Sequence, residues 1–246
     1  MPKRRHLLIA GTGVAAWVAA FQAGPGLLSR FGGPSYEPFD RVEGFRVLAG
    51  GETSTPAFDF TLGLGPRNPV PPEVAEAVAR APSEALFPPG EMSEGDVPAA
   101  YFFDYYCPYC RTLSGYLDDL AASAGLAVVH QHWPIFGAAS ELAARATLAA
   151  ERQGGGNAMH DRLMGTAVRV TPPYVESLAV EAGLSWPTLA RDMDGAAVTL
   201  ALDRARALAR LFGFAGTPSL VVGRTVLEGE VGEARLRQVV QDERSG

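Results

Sequence analysis

An α/β domain with a block of helices set into the middle of its sheet is the fold class this sequence predicts, and three observations carry it. A short apolar run at Ala99–Asp104 and a second strand-like run at Leu126–Trp133 flank a stretch of helical periodicity, the pattern of a parallel strand-helix-strand crossover. From Pro134 to Gly216 only helical patterns follow. Strand character then returns at Ser219–Val222 and Thr225–Leu227, on either side of a turn at Gly223, before a last helix.

The chain of 246 residues is 47% hydrophobic and 20% charged, a globular balance with room for one substantial domain plus extensions. Its net charge of -6, with no Lys/Arg-rich run beyond the N-terminus, argues against nucleic acid as a partner. Residues 1–30 read as a signal peptide or membrane anchor: Lys3, Arg4 and Arg5 precede a stretch, His6 to Ser29, without formal charge when the histidine is neutral. A cleaved signal, with Val18-Ala19-Ala20 as its small-residue site, and a retained span both fit the moderately apolar Leu7–Ala23. Arg4-Arg5 with Leu7-Leu8 also resembles a twin-arginine signal. Either route places the chain outside the cytoplasm, in the periplasm or tethered to the inner membrane, where a disulfide persists.

Residues 31–98 read as a Pro/Gly-rich lead-in, with breakers at Gly63 to Pro66, Pro69 to Pro72 and Pro88 to Gly90. Phe45–Leu48 and Phe58–Leu62 are candidate short strands, and Pro72–Leu86 a helix opening on proline with Val74, Ala77, Val78 and Ala81 on one face. The main domain spans 99–246. Its first strand is apolar almost throughout, as expected of a strand buried on both faces. The next helix carries Leu113, Leu117 and Leu120 at helical spacing and stops at Gly125. The helical insertion occupies about 138–213: a helix capped by Ser140 and running to about Gln153, shorter ones over Met159–Val168, Tyr174–Ala182 and Pro187–Met193, and a long one over Ala196–Phe212. The closing helix presents Leu236, Val239 and Val240.

The chemistry concentrates at Cys107-Pro108-Tyr109-Cys110, which holds both cysteines of the chain. Two cysteines cannot build a disulfide framework, so the pair is either functional or half of a metal site. At the carboxyl end of a strand and the start of a helix, Cys107 meets unpaired N–H groups and the positive end of the helix dipole, which favour a thiolate. Cys110 lies one turn further in, placed to resolve a mixed disulfide that Cys107 has formed, and Cys107 is expected to be the more exposed sulfur. Two other readings remain. One joins the cysteines to His130 and His132 as a closed zinc site; the other makes the protein a non-catalytic binding module with a structural disulfide. Asp104 either caps the following helix or takes part in proton transfer, and Tyr105 and Tyr106 read as packing residues.

The run Phe102-Phe103-Asp104-Tyr105-Tyr106-Cys107-Pro108-Tyr109-Cys110-Arg111 resembles the active-site strand and helix of the DsbA-like thiol-disulfide oxidoreductases of the thioredoxin superfamily. Trp133-Pro134-Ile135-Phe136-Gly137 with Ser140 is similar to their loop after the second strand, and Gln153-Gly154 with Ala158–Leu163 to a helix of their inserted domain. Gly216-Thr217-Pro218-Ser219 resembles the loop that carries their cis-proline. The likeness runs from about Ala99 to Val240 and implies a thioredoxin fold with an inserted helical domain. It also implies a redox-active Cys107–Cys110 disulfide with no other cofactor and no metal, Pro108, Tyr109 and Asp104 in support, and substrate contacts from Thr217 and Pro218. Expected partners are client proteins with free thiols and a quinone-linked membrane oxidase. The expected function is the introduction of disulfides into extracytoplasmic proteins, with reductase or isomerase as the alternative. Two positions depart from the family: Tyr101 stands where a Glu is usual, leaving Asp104 as the nearest acid along the chain, and Pro108-Tyr109 lacks a His that would favour the Cys107 thiolate. Both departures predict a less oxidising couple than in the strongest oxidases.

Overall fold

The computed structural model describes residues 35–48, 69–90 and 92–246. The N-terminal segment with Arg4 and Arg5, the strand expected at Phe58–Leu62 and the breakers at Gly63–Pro66 lie outside the described residues. In chain order the elements are β1 (Tyr36–Pro38), β2 (Arg46–Leu48), α1 (Pro72–Arg80), α2 (Pro82–Leu86), β3 (Val97–Phe103), α3 (Pro108–Ala124) and β4 (Leu126–His132). There follow α4 (Ala138–Glu151), α5 (Gly156–Gly165), α6 (Pro172–Glu181), α7 (Trp186–Met193), α8 (Ala196–Phe212), β5 (Ser219–Val222), β6 (Thr225–Glu228) and α9 (Glu233–Ser245).

The strands form one sheet in the order β1-β2-β6-β5-β3-β4. β3 pairs parallel with β4 and antiparallel with β5, so the strand that leads into the cysteines has a neighbour on each side. Its side chains alternate between two cores, as the two-residue period of a strand requires. Ala99, Tyr101 and Phe103 face the core built with α3, α9 and the helical block, while Ala100 and Phe102 face the core built with α1, α2 and α8. Full burial of a side chain such as Phe102 is worth about 1.5–3 kcal/mol, and two such faces explain why this stretch is apolar throughout.

Several boundaries differ from the sequence reading for local reasons. The helix expected over Pro72–Leu86 is two helices, because Pro82 disfavours helical backbone at Ala81, which sits at φ -141°, ψ 68°. The helix expected to be capped by Ser140 begins at Ala138, and the Ser140 hydroxyl donates to Asp104 instead. The next helix starts at Gly156, ahead of the expected Met159, and ends at Gly165. Gly125 does end α3, in the left-handed conformation at φ 56° that glycine adopts without strain.

Part of the stretch read as a lead-in is woven into the sheet. β2 pairs parallel with β6, and the Arg46 guanidinium reaches Thr225 Oγ1 at 2.8 Å and Glu243 Oε1 at 2.6 Å while lying over the Tyr36 ring. Among the described residues no helix is long and apolar enough to cross a membrane.

Candidate active site

The site begins where β3 ends. Cys107 is the N-cap of α3, in extended backbone at φ -79°, ψ 115°, and Pro108 fills the first helical position, where its missing N–H costs nothing. The helix leaves its first N–H groups without intrahelical partners, and the Cys107 sulfur accepts one of them, from Cys110, at 3.2 Å. A sulfur in the N-cap position therefore receives both a hydrogen bond and the positive end of the helix dipole, and each favours its thiolate.

The loop before β5 closes the site from the opposite side. The Thr217–Pro218 peptide bond is cis, and the Thr217 carbonyl lies 3.4 Å from the Cys107 sulfur, which donates to it as a thiol. Thr217 is fully buried, and its side-chain hydroxyl has no hydrogen-bond partner among the described residues. The geometry thus brings Cys107, Cys110 and Thr217–Pro218 together, residues separated by more than 100 positions in the chain.

One expectation is corrected. Cys107 is not the more exposed sulfur: both cysteines have 0% of their surface accessible. Position in the helix distinguishes them, since Cys107 holds the cap while Cys110 faces the core inside the first turn, where burial first and the neighbouring Cys107 second push its thiol pKa far up. Pro108 is exposed and Tyr109 half-buried, so the dipeptide between the cysteines forms the outer surface of the turn.

Asp104 is not the cap of α3. Its Oδ1 accepts the Tyr106 N–H at 2.7 Å and the Ser140 hydroxyl at 2.8 Å, and its Oδ2 accepts the N–H groups of Ile135 and Phe136 at 2.7 and 3.1 Å. The buried carboxylate joins the turn before the cysteines to the loop after β4 and to α4. Burial pushes its pKa up, against the pull of those four bonds.

The tyrosines before Cys107 do more than fill space. The Tyr105 hydroxyl lies 2.7 Å from Thr147 Oγ1 and 3.2 Å from His160 Nδ1, and the Tyr106 hydroxyl accepts the Val170 N–H at 2.7 Å. Arg111, just after Cys110, donates to the Thr166 carbonyl. The residues flanking the Cys107–Cys110 segment thus both hold the loop between α5 and α6, a link that no local pattern in the sequence signals.

His130 and His132 lie in register beside Tyr101 and Phe103, and three histidine rings surround Phe103: His130 at 5.6 Å, His132 at 4.9 Å and His160 at 5.1 Å between centroids. No cluster of three or more His, Cys, Asp or Glu side chains among the described residues is placed to hold a metal, so the cysteines do not join His130 and His132 in the zinc site their types would allow. His132 is buried and His130 exposed. Sequence reasoning noted Tyr101 only as a departure from a pattern. Its hydroxyl donates to the Cys110 carbonyl at 2.8 Å and lies 3.3 Å from Ser114 Oγ, directly beneath the second cysteine.

Comparison with known proteins places this geometry. Residues 100–241 match the family model described as a DSBA-like thioredoxin domain. The chain is similar to a thioredoxin-like oxidoreductase from Silicibacter pomeroyi DSS-3, with 38% identity, a TM-score of 0.62, and coverage of 67% of this chain and 98% of that one. It shares the fold of the thiol-disulfide exchange protein α-DsbA2 from Wolbachia pipientis, at 20% identity and a TM-score of 0.61 over 69% of this chain and 95% of that one. It shares it also with the catalytic domain of Proteus mirabilis ScsC, at 23% identity and a TM-score of 0.60 over 70% and 99%. Among curated proteins none matches.

Proposed function

We propose, for a chain that belongs to the DSBA-like thioredoxin domain family and is thereby a protein-disulfide oxidoreductase, that Cys107 and Cys110 carry the exchange and that its direction is the oxidation of client thiols. The observation that supports this most directly is the Cys107 sulfur at the N-cap of α3, accepting the Cys110 N–H at 3.2 Å opposite the Thr217 carbonyl.

In the cycle, a client thiolate attacks the Cys107 sulfur of the Cys107–Cys110 disulfide. The S–S bond between the cysteines breaks, a mixed disulfide forms, and Cys110 leaves with the electron pair and takes up a proton. A second client thiolate attacks the client's own sulfur and expels Cys107 as a thiolate, so the client is oxidised by two electrons and the enzyme reduced. The helix terminus lowers the energy of that leaving thiolate, which makes the oxidised enzyme a better oxidant. Thr217 and Pro218 border the client's path, and main-chain hydrogen bonds to an extended client beside them would accept many sequences. Pro108 and Tyr109 form the surface of the turn that the client meets. Reoxidation then falls to a membrane partner, for which a quinone-linked oxidase is the reading we favour. The site of action we assign is extracytoplasmic, from the basic start and uncharged run of residues 1–30.

The test is to mix the oxidised protein with an unfolded, reduced client and follow the loss of free thiols. The expected result is stoichiometric oxidation that disappears in Cys107→Ala. Equal oxidation by that variant would overturn the assignment. A reporter fused after Arg30 should act outside the cytoplasm, and activity confined to the cytoplasm would overturn the location.

A further inference from the structure

Tyr101 is a buried titratable side chain at this centre for which the exchange steps above have no use. Its ring stacks on Phe103 at 5.0 Å, and it shares its core with Ala99, Leu113 and Leu117. A phenylalanine would fill that space equally well, so packing alone gives no reason for the hydroxyl. A buried hydroxyl is costly unless it is bonded, and this one is spent on Cys110, donating to its carbonyl at 2.8 Å with Ser114 Oγ at 3.3 Å.

Cys110 has a problem that these hydroxyls answer. Whenever it attacks, or is expelled from, the Cys107 sulfur, it must bear a negative charge with no exposed surface and with leucine side chains around it. An ionised sulfur there needs donors, since an uncompensated buried charge is among the most costly states a protein can hold. Burial first and the neighbouring Cys110 second push the Tyr101 pKa up, so the two side chains lie within each other's field.

We propose that the hydroxyl pair of Tyr101 and Ser114 stabilises the Cys110 thiolate during resolution of the mixed disulfide. With both cysteines free, Tyr101 holds the first turn of α3 by the Cys110 carbonyl; when Cys110 ionises, an O–H turns to the sulfur. The inference rests on the exchange function above and concerns the step in which Cys110 leaves or returns to the Cys107 sulfur, written here in the direction of return. In that step the Cys110 S–H loses its proton, the thiolate attacks Cys107, the bond from Cys107 to the client sulfur breaks, and the Cys107–Cys110 bond forms. The departing client thiolate takes the proton. Both hydroxyls keep their own protons throughout and act only as donors. The titrating groups beside this pair are Cys107, next to Cys110, and His130, whose ring centroid lies 6.1 Å from that of Tyr101, and replacing Tyr101 with Phe alters neither.

The experiment follows reduced protein reacting with oxidised glutathione, with acid quenching and mass detection of the Cys107–glutathione adduct from pH 5 to 9. In Tyr101→Phe the adduct should accumulate and resolve about tenfold more slowly, the effect of one lost hydrogen bond to a charged group, with its pH profile displaced to higher pH. Ser114→Ala should do the same to a smaller degree. Alkylation of Cys107 in a Cys110→Ala background should be unchanged by Tyr101→Phe. Resolution at the wild-type rate and pH profile would overturn the proposal, as would a loss of Cys107 reactivity and melting temperature in parallel with resolution, which would mark a packing role. If the wild-type protein forms no Cys107 adduct at all, the exchange function itself fails, and this inference with it.

Discussion

Replacing Asp104 offers the sharpest test of how the site is built. Its two oxygens accept four hydrogen bonds, two on each oxygen, in a place with almost no access to water. At about 1 kcal/mol net per bond, Asp104→Ala should cost about 4 kcal/mol, because three N–H groups and a hydroxyl are left without an acceptor. Asp104→Asn keeps an acceptor for Tyr106 and Ser140 but turns an amide N–H₂ toward the donors of Ile135 and Phe136, so about half of that loss is expected. For a chain of this size each kcal/mol moves the melting temperature by about 2–4 °C, which gives a drop of about 8–16 °C for the alanine variant and about half as much for the asparagine. Circular dichroism melts of the reduced proteins measure both. The pH dependence has a definite sign. Burial raises the folded-state pKa of this carboxyl, so its contribution is fully present below the ordinary carboxylate pKa and is lost as the pH rises through the raised value; Asp104→Asn should remove that slope. Near-wild-type melting of both variants would refute the reasoning. Intact stability with slowed exchange would return Asp104 to proton transfer.

Other expectations follow from the same geometry. Cys110→Ala should trap mixed disulfides with clients, visible on non-reducing gels, while Cys107→Ala should trap none; trapping by both would remove the asymmetry between the cysteines. His160, whose pKa burial lowers to about 4, is neutral in the folded state, so stability should fall as the pH drops from 6.5 toward 4, where the unfolded chain binds the proton first. His160→Gln should flatten that part of the curve, and an unchanged curve would contradict it. The couple should sit between the strongest oxidases, at about -120 mV, and thioredoxin, at about -270 mV, with the cysteines mainly oxidised in intact cells by alkylating mass tags. A pair found mainly reduced until a membrane reductant pathway is removed would reverse the direction of flow.

The candidate site was legible because its signals are local. An apolar run, a proline at the first helical position, a cysteine spacing of three and a closing glycine lie within thirty residues, and β3, α3 and β4 appear where those signals put them. The strand pairings of the N-terminal part were not legible, because β1 and β2 have three residues each and owe their order to β6 and α9, far away in the chain. Ser140 misled for the same reason: its hydroxyl serves Asp104, 36 positions back, and not its own helix. Contacts such as Tyr101 to Cys110 or Tyr106 to Val170 depend on which way a side chain turns inside the fold, and no spacing rule reaches them. The expectation of an exposed Cys107 failed because a helix start says how a sulfur is polarised but not what lies over it.

That burial changes how the rate of any reaction at Cys107 should be understood. A sulfur without accessible surface reacts only during the fraction of time its surroundings stand aside, and the observed rate is the intrinsic rate multiplied by that open fraction. An open fraction of about 1% would make even a fully ionised thiolate look about a hundredfold sluggish. Small reagents need a narrower opening than a folded client, whereas an unfolded client can thread an extended segment into the same gap. Size and disorder of the client, as much as thiol acidity, then set which proteins are served first, with polypeptides still unfolded at the head of the queue.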